Sequence, residues 1–287
     1  MIQLLAGGIS AGSLYALVAL GLMLTYRSTG VLNFAHGEMA LVSTFVTFTL
    51  IKTLHVPAPL AIVIALFFSV VVGILVERIF IRPVHGKEEL YILAVTIGLN
   101  TAFNSLVLII WGADTLKFPV VFGETPMDLG GLLISRNHFW LIVVSVVSMA
   151  VLFAFMKYTT FGTAMRAVAT DSKAAELLGI DLTKVFRVTW AASAILGTLA
   201  GMMIASVVFL NLATMENVLM KAFAVALLGG FGSLPGAVLG GLLLGVVENL
   251  TGAYLTDFKD VVPFLVIVVV LLIKPTGLLG GKAIEKV

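Results

Sequence analysis

Apolar residues in this chain come in long blocks separated by short polar punctuation. Uncharged stretches run from Met1 to Tyr26, Leu90 to Ala113, Asn137 to Met156, Val188 to Met215, Ala222 to Val247 and Val261 to Ile273. Most are long enough to cross about 30 Å of hydrocarbon as helices. Turning the charged positions into connections predicts spans near 3–25, 36–52, 58–77, 90–111, 138–156, 185–210, 217–230, 236–253 and 259–274. The expected architecture is an all-α, polytopic transmembrane bundle of about 8–9 spans. The second and seventh spans are short and flanked by glycine, and the last is bracketed by Pro263 and Pro275. Some of these are expected to be broken or re-entrant. The pattern weighs against the alternative, a lipid-facing barrel, because the blocks lack the alternation of barrel strands and are too long for them.

Composition sharpens the class. Of 287 residues, 60% are hydrophobic and 11% charged, with a mean hydropathy of +1.16, against roughly a quarter charged in soluble domains. No cysteine is present, which removes disulfides and thiolate metal sites. The opening MIQLLAGGIS has no basic region and no small-residue cleavage site follows, so it reads as a retained first span.

The net charge of +2 matters less than where the basic residues fall. With the N-terminus outside, inside connections hold Arg27, Arg78, Arg82, Lys87, Lys157, Arg166, Lys173, Lys184, Arg187, Lys274, Lys282 and Lys286. That is twelve of seventeen, leaving Lys52, Lys117, Arg136, Lys221 and Lys259 outside. The positive-inside rule therefore predicts an outside N-terminus and a cytoplasmic C-terminus. The whole chain, 1–287, reads as one membrane domain with a cytoplasmic segment at 157–184 and an external loop at 112–137. That loop carries Asp114, Glu124 and Asp128 among the turn formers Pro119, Pro126 and Gly130. It suits either a partner outside the membrane or a plain solvated connector.

The stretch FGTAMRAVATDSKAAELLGID, 161–181, stands out as charged and rich in alanine. Thr163 is expected to cap a helix from Ala164 to Ala169, and Asp171 a second from Ser172 to Leu178. Gly179 suits the left-handed position that ends it, and Asp181 can cap the following span. Ala174, Ala175 and Leu178 share one face of the second helix. Two readings stand: a linker lying on the membrane surface, or a helix docking in a protein groove. The small side chains favour docking, since an interfacial helix presents bulky apolar residues.

The glycine-rich run LLGGFGSLPGAVLGG, 227–241, lacks the lysine and spacing of a phosphate-binding loop. It reads as packing geometry, with Gly236 and Gly240, then Gly241 and Gly245, forming small-residue faces for close helix contact. Among polar residues in or beside spans, Asn33, His36, Glu38, Asn100, Asn104, Glu248 and Asn249 are candidates to line a translocation path. The same residues can instead bridge helices or satisfy broken backbone. His36 with Glu38 lacks the further ligands of a metal site, so no metal is expected.

RAVATDSKAAELLGI resembles the cytoplasmic coupling segment in membrane permease subunits of the branched-chain amino acid ABC transporters. NFAHGE at 33–38, MKAFAVALLGGFGSLPGAVLGG at 220–241 and KDVVPFLVIVVVLLIKPTGLLG at 259–280 look like the H-type permease of that family. The resemblance runs from about Tyr15 to the C-terminus. It implies an importer for branched-chain amino acids in a prokaryotic cell membrane, assembled with a second related permease, two cytoplasmic ATPases and an extracytoplasmic binding protein. It implies no nucleic-acid partner, no chemistry in this chain and no cofactor here, ATP and Mg belonging to the ATPases. Arg166, Ala167, Asp171, Ala174, Ala175, Leu178 and Gly179 would sit at the ATPase groove. The chain departs from the general permease motif, because Lys173 precedes the paired alanines and Glu176 follows them.

Similar permeases also carry urea, short amides or other amino acids. A different class, the ion-coupled secondary transporter, would need no ATPase. An intramembrane enzyme would have only His36, Glu38 and Glu248 to work with.

Overall fold

A computed structural model describes residues 2–30, 32–119, 127–128, 133–259 and 261–280. Its helices are α1 (Ile2–Thr29), α2 (His36–Lys52), α3 (Ala58–Val76), α4 (Glu89–Trp111), α5 (Arg136–Tyr158), α6 (Thr160–Thr170), α7 (Ser172–Leu177), α8 (Leu182–Ala205), α9 (Thr214–Gly229), α10 (Leu234–Tyr254) and α11 (Val262–Ile273). A π-helical turn, Glu77–Ile81, and a 3₁₀ turn, Arg82–Val84, prolong α3. In the 112–137 segment, Met127–Asp128 pairs antiparallel with Leu133–Ile134, and residues 120–126 and 129–132 lie outside the described set.

Among the described residues, six helical stretches are long and apolar enough to cross a membrane: Gln3–Thr29, Ala58–Val84, Leu90–Trp111, Arg136–Tyr158, Leu182–Ala205 and Leu234–Tyr254. The predicted second, seventh and ninth spans correspond to shorter helices of 17, 16 and 12 residues. Two of these begin inside the bundle. His36, the first residue of α2, packs against Gly21 and Gly197, well along α1 and α8. At the start of α9, Met215 lies against Gly37 and Gly201. Broken backbone at such depth is tolerable only inside protein, and it is inside protein here.

Helices α1 and α8 form the centre, each 78% buried over its apolar window, whereas α3, α4 and α5 are 22–28% buried. Helix α1 packs on α10, α8, α9 and α5, while α8 also packs on α2 and α3, leaving α4 and α11 at the rim. The rim turns large apolar side chains outward, among them Phe67, Ile109 and Leu272. That surface suits hydrocarbon.

The α1–α10 contact is close because neither helix has side chains in the way. A Cβ at Gly241 or Gly245 would strike the backbone of Gly12 and its neighbours, and one at Gly12 would strike Gly241 and Leu242. The other pair of small residues faces elsewhere: Gly236 and Gly240 rest on Gly229 and Val225 of α9. The two small-residue faces thus join α10 to two different partners.

Candidate functional site

At one end of the bundle, α5, α6, α7 and α8 follow each other with almost no loop. Thr159, not Thr163, caps α6, its hydroxyl accepting from the Gly162 amide at 3.0 Å. The expected cap lies a turn too far along, because α6 starts directly after α5 instead of at Ala164. Asp171 caps α7 by accepting from the Ala174 amide at 3.0 Å, and Asp181 caps α8 through the Lys184 amide at 3.1 Å. That capping bond, with the Lys184 ammonium at 3.3 Å, holds the Asp181 carboxyl below its ordinary pKa. Between them Gly179 takes φ +85°, while the Ile180 amide reaches the Ala175 carbonyl and the Gly179 amide the Glu176 carbonyl. This is the paired closure that glycine permits at a helix end.

The residues singled out in the sequence separate here into inward and outward sets. Ala175 is buried within the chain's own core, and Arg166 donates to the Met156 carbonyl and to Thr163 Oγ1, closing the end of α5. Ala167 packs partly buried against the core, whereas Asp171, Ala174, Leu178 and Gly179 are exposed. The most exposed large apolar residues of this end are Leu177 and Leu178, at 89% and 83%. Leu177 was not singled out; two leucines in succession before a glycine were its only trace in the sequence.

Glu77 anchors the same end from the α3 side. Its buried carboxylate accepts from Arg82 Nε and Nη2 at 3.3 and 3.2 Å, and Arg187 Nε of α8 lies 3.8 Å away. Nearby, His85 meets the Phe186 ring edge-on at 4.5 Å, and burial lowers its pKa despite the opposing pull of Glu77 and Glu176.

Five of the seven path candidates gather at the buried start of α2. Asn33 accepts from the Ala35 amide at 3.1 Å, and Asn100 donates to the Phe34 carbonyl at 3.1 Å. Asn104 donates to Glu38 Oε2 at 3.1 Å and to the Leu212 carbonyl at 3.2 Å. His36 Nδ1 lies 3.2 Å from Ser193 Oγ, which donates to the Gly21 carbonyl at 2.8 Å. One face of α4 therefore holds the turn that lets the chain re-enter the bundle, and these amides bind backbone that broken helix leaves unsatisfied.

The other two candidates, Glu248 and Asn249, line a cavity of about 1020 Å³. It lies between the first half of α1, the last half of α10, the start of α9 and the end of α8 remote from α7. Its walls are largely apolar, with Leu14, Ile204 and Val218 among them. Lys221 Nζ meets Glu248 Oε1 at 2.7 Å and stands 5.6 Å above the Tyr15 ring, while Asn249 Nδ2 donates to the Leu4 carbonyl. Lys221 was expected in an external connection. It sits within α9 instead, only 16% exposed, because Glu248 supplies its counter-charge. A carboxylate in the middle of an apolar span was the clue that a cation faces it.

A family model described as "Branched-chain amino acid transport system / permease component" matches residues 4–271. The chain belongs to this permease family. It is 34% identical to the high-affinity branched-chain amino acid transport system permease protein LivH of Salmonella typhimurium, over 100% of this chain and 97% of that protein. The corresponding protein BraD of Pseudomonas aeruginosa is 34% identical over 100% and 98% of the two chains. The probable permease protein LivH of Methanocaldococcus jannaschii is 28% identical over 97% and 92%. The family is one of transport permeases, not of enzymes. Within this permease, the cavity and the short exposed helix α7 lie at opposite ends of α8, which is about 36 Å long.

Proposed function

We propose that this permease is the translocation subunit of an ATP-binding cassette importer for branched-chain amino acids, multi-pass in a prokaryotic cell membrane. The carrying observation is the pairing of a largely apolar cavity at one end of α8 with the short, leucine-tipped α7 at the other. The clustering of Arg78, Arg82, Arg166, Lys184 and Arg187 at the α7 end supports a cytoplasmic position for it. The N-terminus and the cavity then face outside, where a binding protein delivers substrate, and α2, α9 and α11 bring the total to 8–9 segments in the bilayer.

In this reading α7 docks on a partner ATPase through Leu177, Leu178 and Ala174, and a second related permease completes the pore. ATP and Mg are held by the two ATPases, which supply the energy. Because α7 is joined to α8 by a turn closed with backbone bonds and the Asp181 cap, a push on α7 is passed to α8 as a rigid displacement. Helix α8 is packed against α1, α2 and α3, so its tilt alters the cavity that its far end borders.

The test is purification from the native membrane in mild detergent, then reconstitution with the subunits that accompany the chain. Two ATPase chains, a second permease and ATP-dependent leucine uptake are expected, with competition by valine exceeding that by urea. Uptake by this chain alone, driven by an ion gradient and indifferent to ATP, would overturn the proposal.

A further inference from the structure

Among the described residues, Glu248 differs from Glu77, the other buried carboxylate in an ion pair. Its Oε1 is held by Lys221 at 2.7 Å, but its Oε2 is buried without a hydrogen-bond partner among the described residues, and the side chain is only 6% exposed. Leaving a buried charged acceptor half-satisfied is costly, and an apolar pair of similar volume would be at least as stable at this place. The pair lines the cavity of about 1020 Å³, whose walls also carry the aliphatic side chains of Leu14, Ile204 and Val218.

We infer that Lys221 and Glu248 together form a specificity-determining site for the zwitterionic head of an apolar α-amino acid. This deepens, and rests on, the import reading above. The open Glu248 oxygen receives the substrate ammonium, and the Lys221 ammonium receives the substrate carboxylate. A ligand bearing both charges inserts against the pair with each charge facing its opposite, so no net charge is added to a low-dielectric site. A ligand with one charge brings an uncompensated charge into the site, because Lys221 and Glu248 already neutralise each other. The aliphatic side chain lies against Leu14, Ile204 and Val218, which bury it without asking for polar contacts. Discrimination against single-charge analogues then follows from unpaired buried charge, the strongest form of rejection a site can offer.

Tritiated leucine is titrated against the detergent-purified assembly by scintillation proximity, without binding protein or ATP, so that only the membrane site is read. Saturable binding is expected, displaced by valine but at least tenfold less well by 4-methylpentanoate or 3-methylbutylamine. Glu248→Gln and Lys221→Met should each weaken leucine binding at least tenfold. Because those variants can also disturb folding, the exchange Lys221→Glu with Glu248→Lys, which keeps an ion pair, is compared at equal monodisperse yield. It should leave binding weak, since the two charges then face the wrong ends of the ligand. Absence of saturable binding to the unmodified assembly, equal displacement by either analogue, or full binding in the exchanged variant would overturn the inference. Failure of the import reading appears separately, as leucine binding without ATP-driven uptake.

Discussion

Glu77 and Glu248 are both carboxylates buried among apolar helices, yet they are provided for differently. Both oxygens of Glu77 are taken by Arg82, with Arg187 behind them, so the charge is closed off by the chain itself. Glu248 has a single lysine and one open oxygen beside a cavity. A closed charge fixes geometry, here the junction of the α3 extension with α8. An open one keeps a valence for something that arrives. The α2 turn belongs with Glu77 in this respect, since Asn100 and Asn104 are spent on Phe34, Glu38 and Leu212.

The contrast can be broken from either side. The largest loss of stability is expected for Glu77→Ala, which strands Arg82 and Arg187; about 2–3 kcal/mol is reasonable once the partial exposure of both arginines is allowed for. Thermal unfolding in detergent would show it, with leucine binding to the surviving folded fraction unchanged. Next comes Asn104→Ala, which frees the Leu212 carbonyl and one oxygen of Glu38 at a cost of about 1–2 kcal/mol. It should likewise lower the melting temperature but not alter the discrimination between leucine and its single-charge analogues.

The pair Leu177→Asp and Leu178→Asp tests the opposite end. Both sites are exposed, so folding should change by less than about 0.5 kcal/mol, while co-purification of the ATPases is lost. Undiminished recovery of those partners would detach α7 from docking. The smallest effect is expected for Asp181→Ala, which removes the α8 cap. Its pKa is depressed in the fold, so the cap stabilises above the unfolded carboxyl value and is lost as pH falls through the folded one. The melting difference between variant and parent should therefore shrink in acid.

Local devices were legible in the sequence. Asp171 and Asp181 read as caps and Gly179 as a helix end, because each depends on neighbours three or four residues away. Long apolar blocks likewise gave the six long helices. What escaped depends on distant contact. Nothing near Lys221 announces that Glu248, 27 positions later, lies against it. Periodicity put Ala175 on the same face as Ala174, but the core of this chain covers one and leaves the other free. Depth was hidden too: α2 and α9 begin inside the bundle because α4 amides and glycines of α1 and α8 make room there, which no count of apolar residues reveals.

The glycine contact between α1 and α10 also bears on how the chain is made. Gly12 emerges from the ribosome about 230 residues before Gly241 and Gly245, the glycines it rests against. At roughly 5–20 residues per second, α1 waits some 10 to 50 s for its partner. During that interval its bare backbone stripe must be shielded by lipid, translocon or chaperone. Nascent chains stalled before α10 should therefore be the ones that membrane quality control clears first.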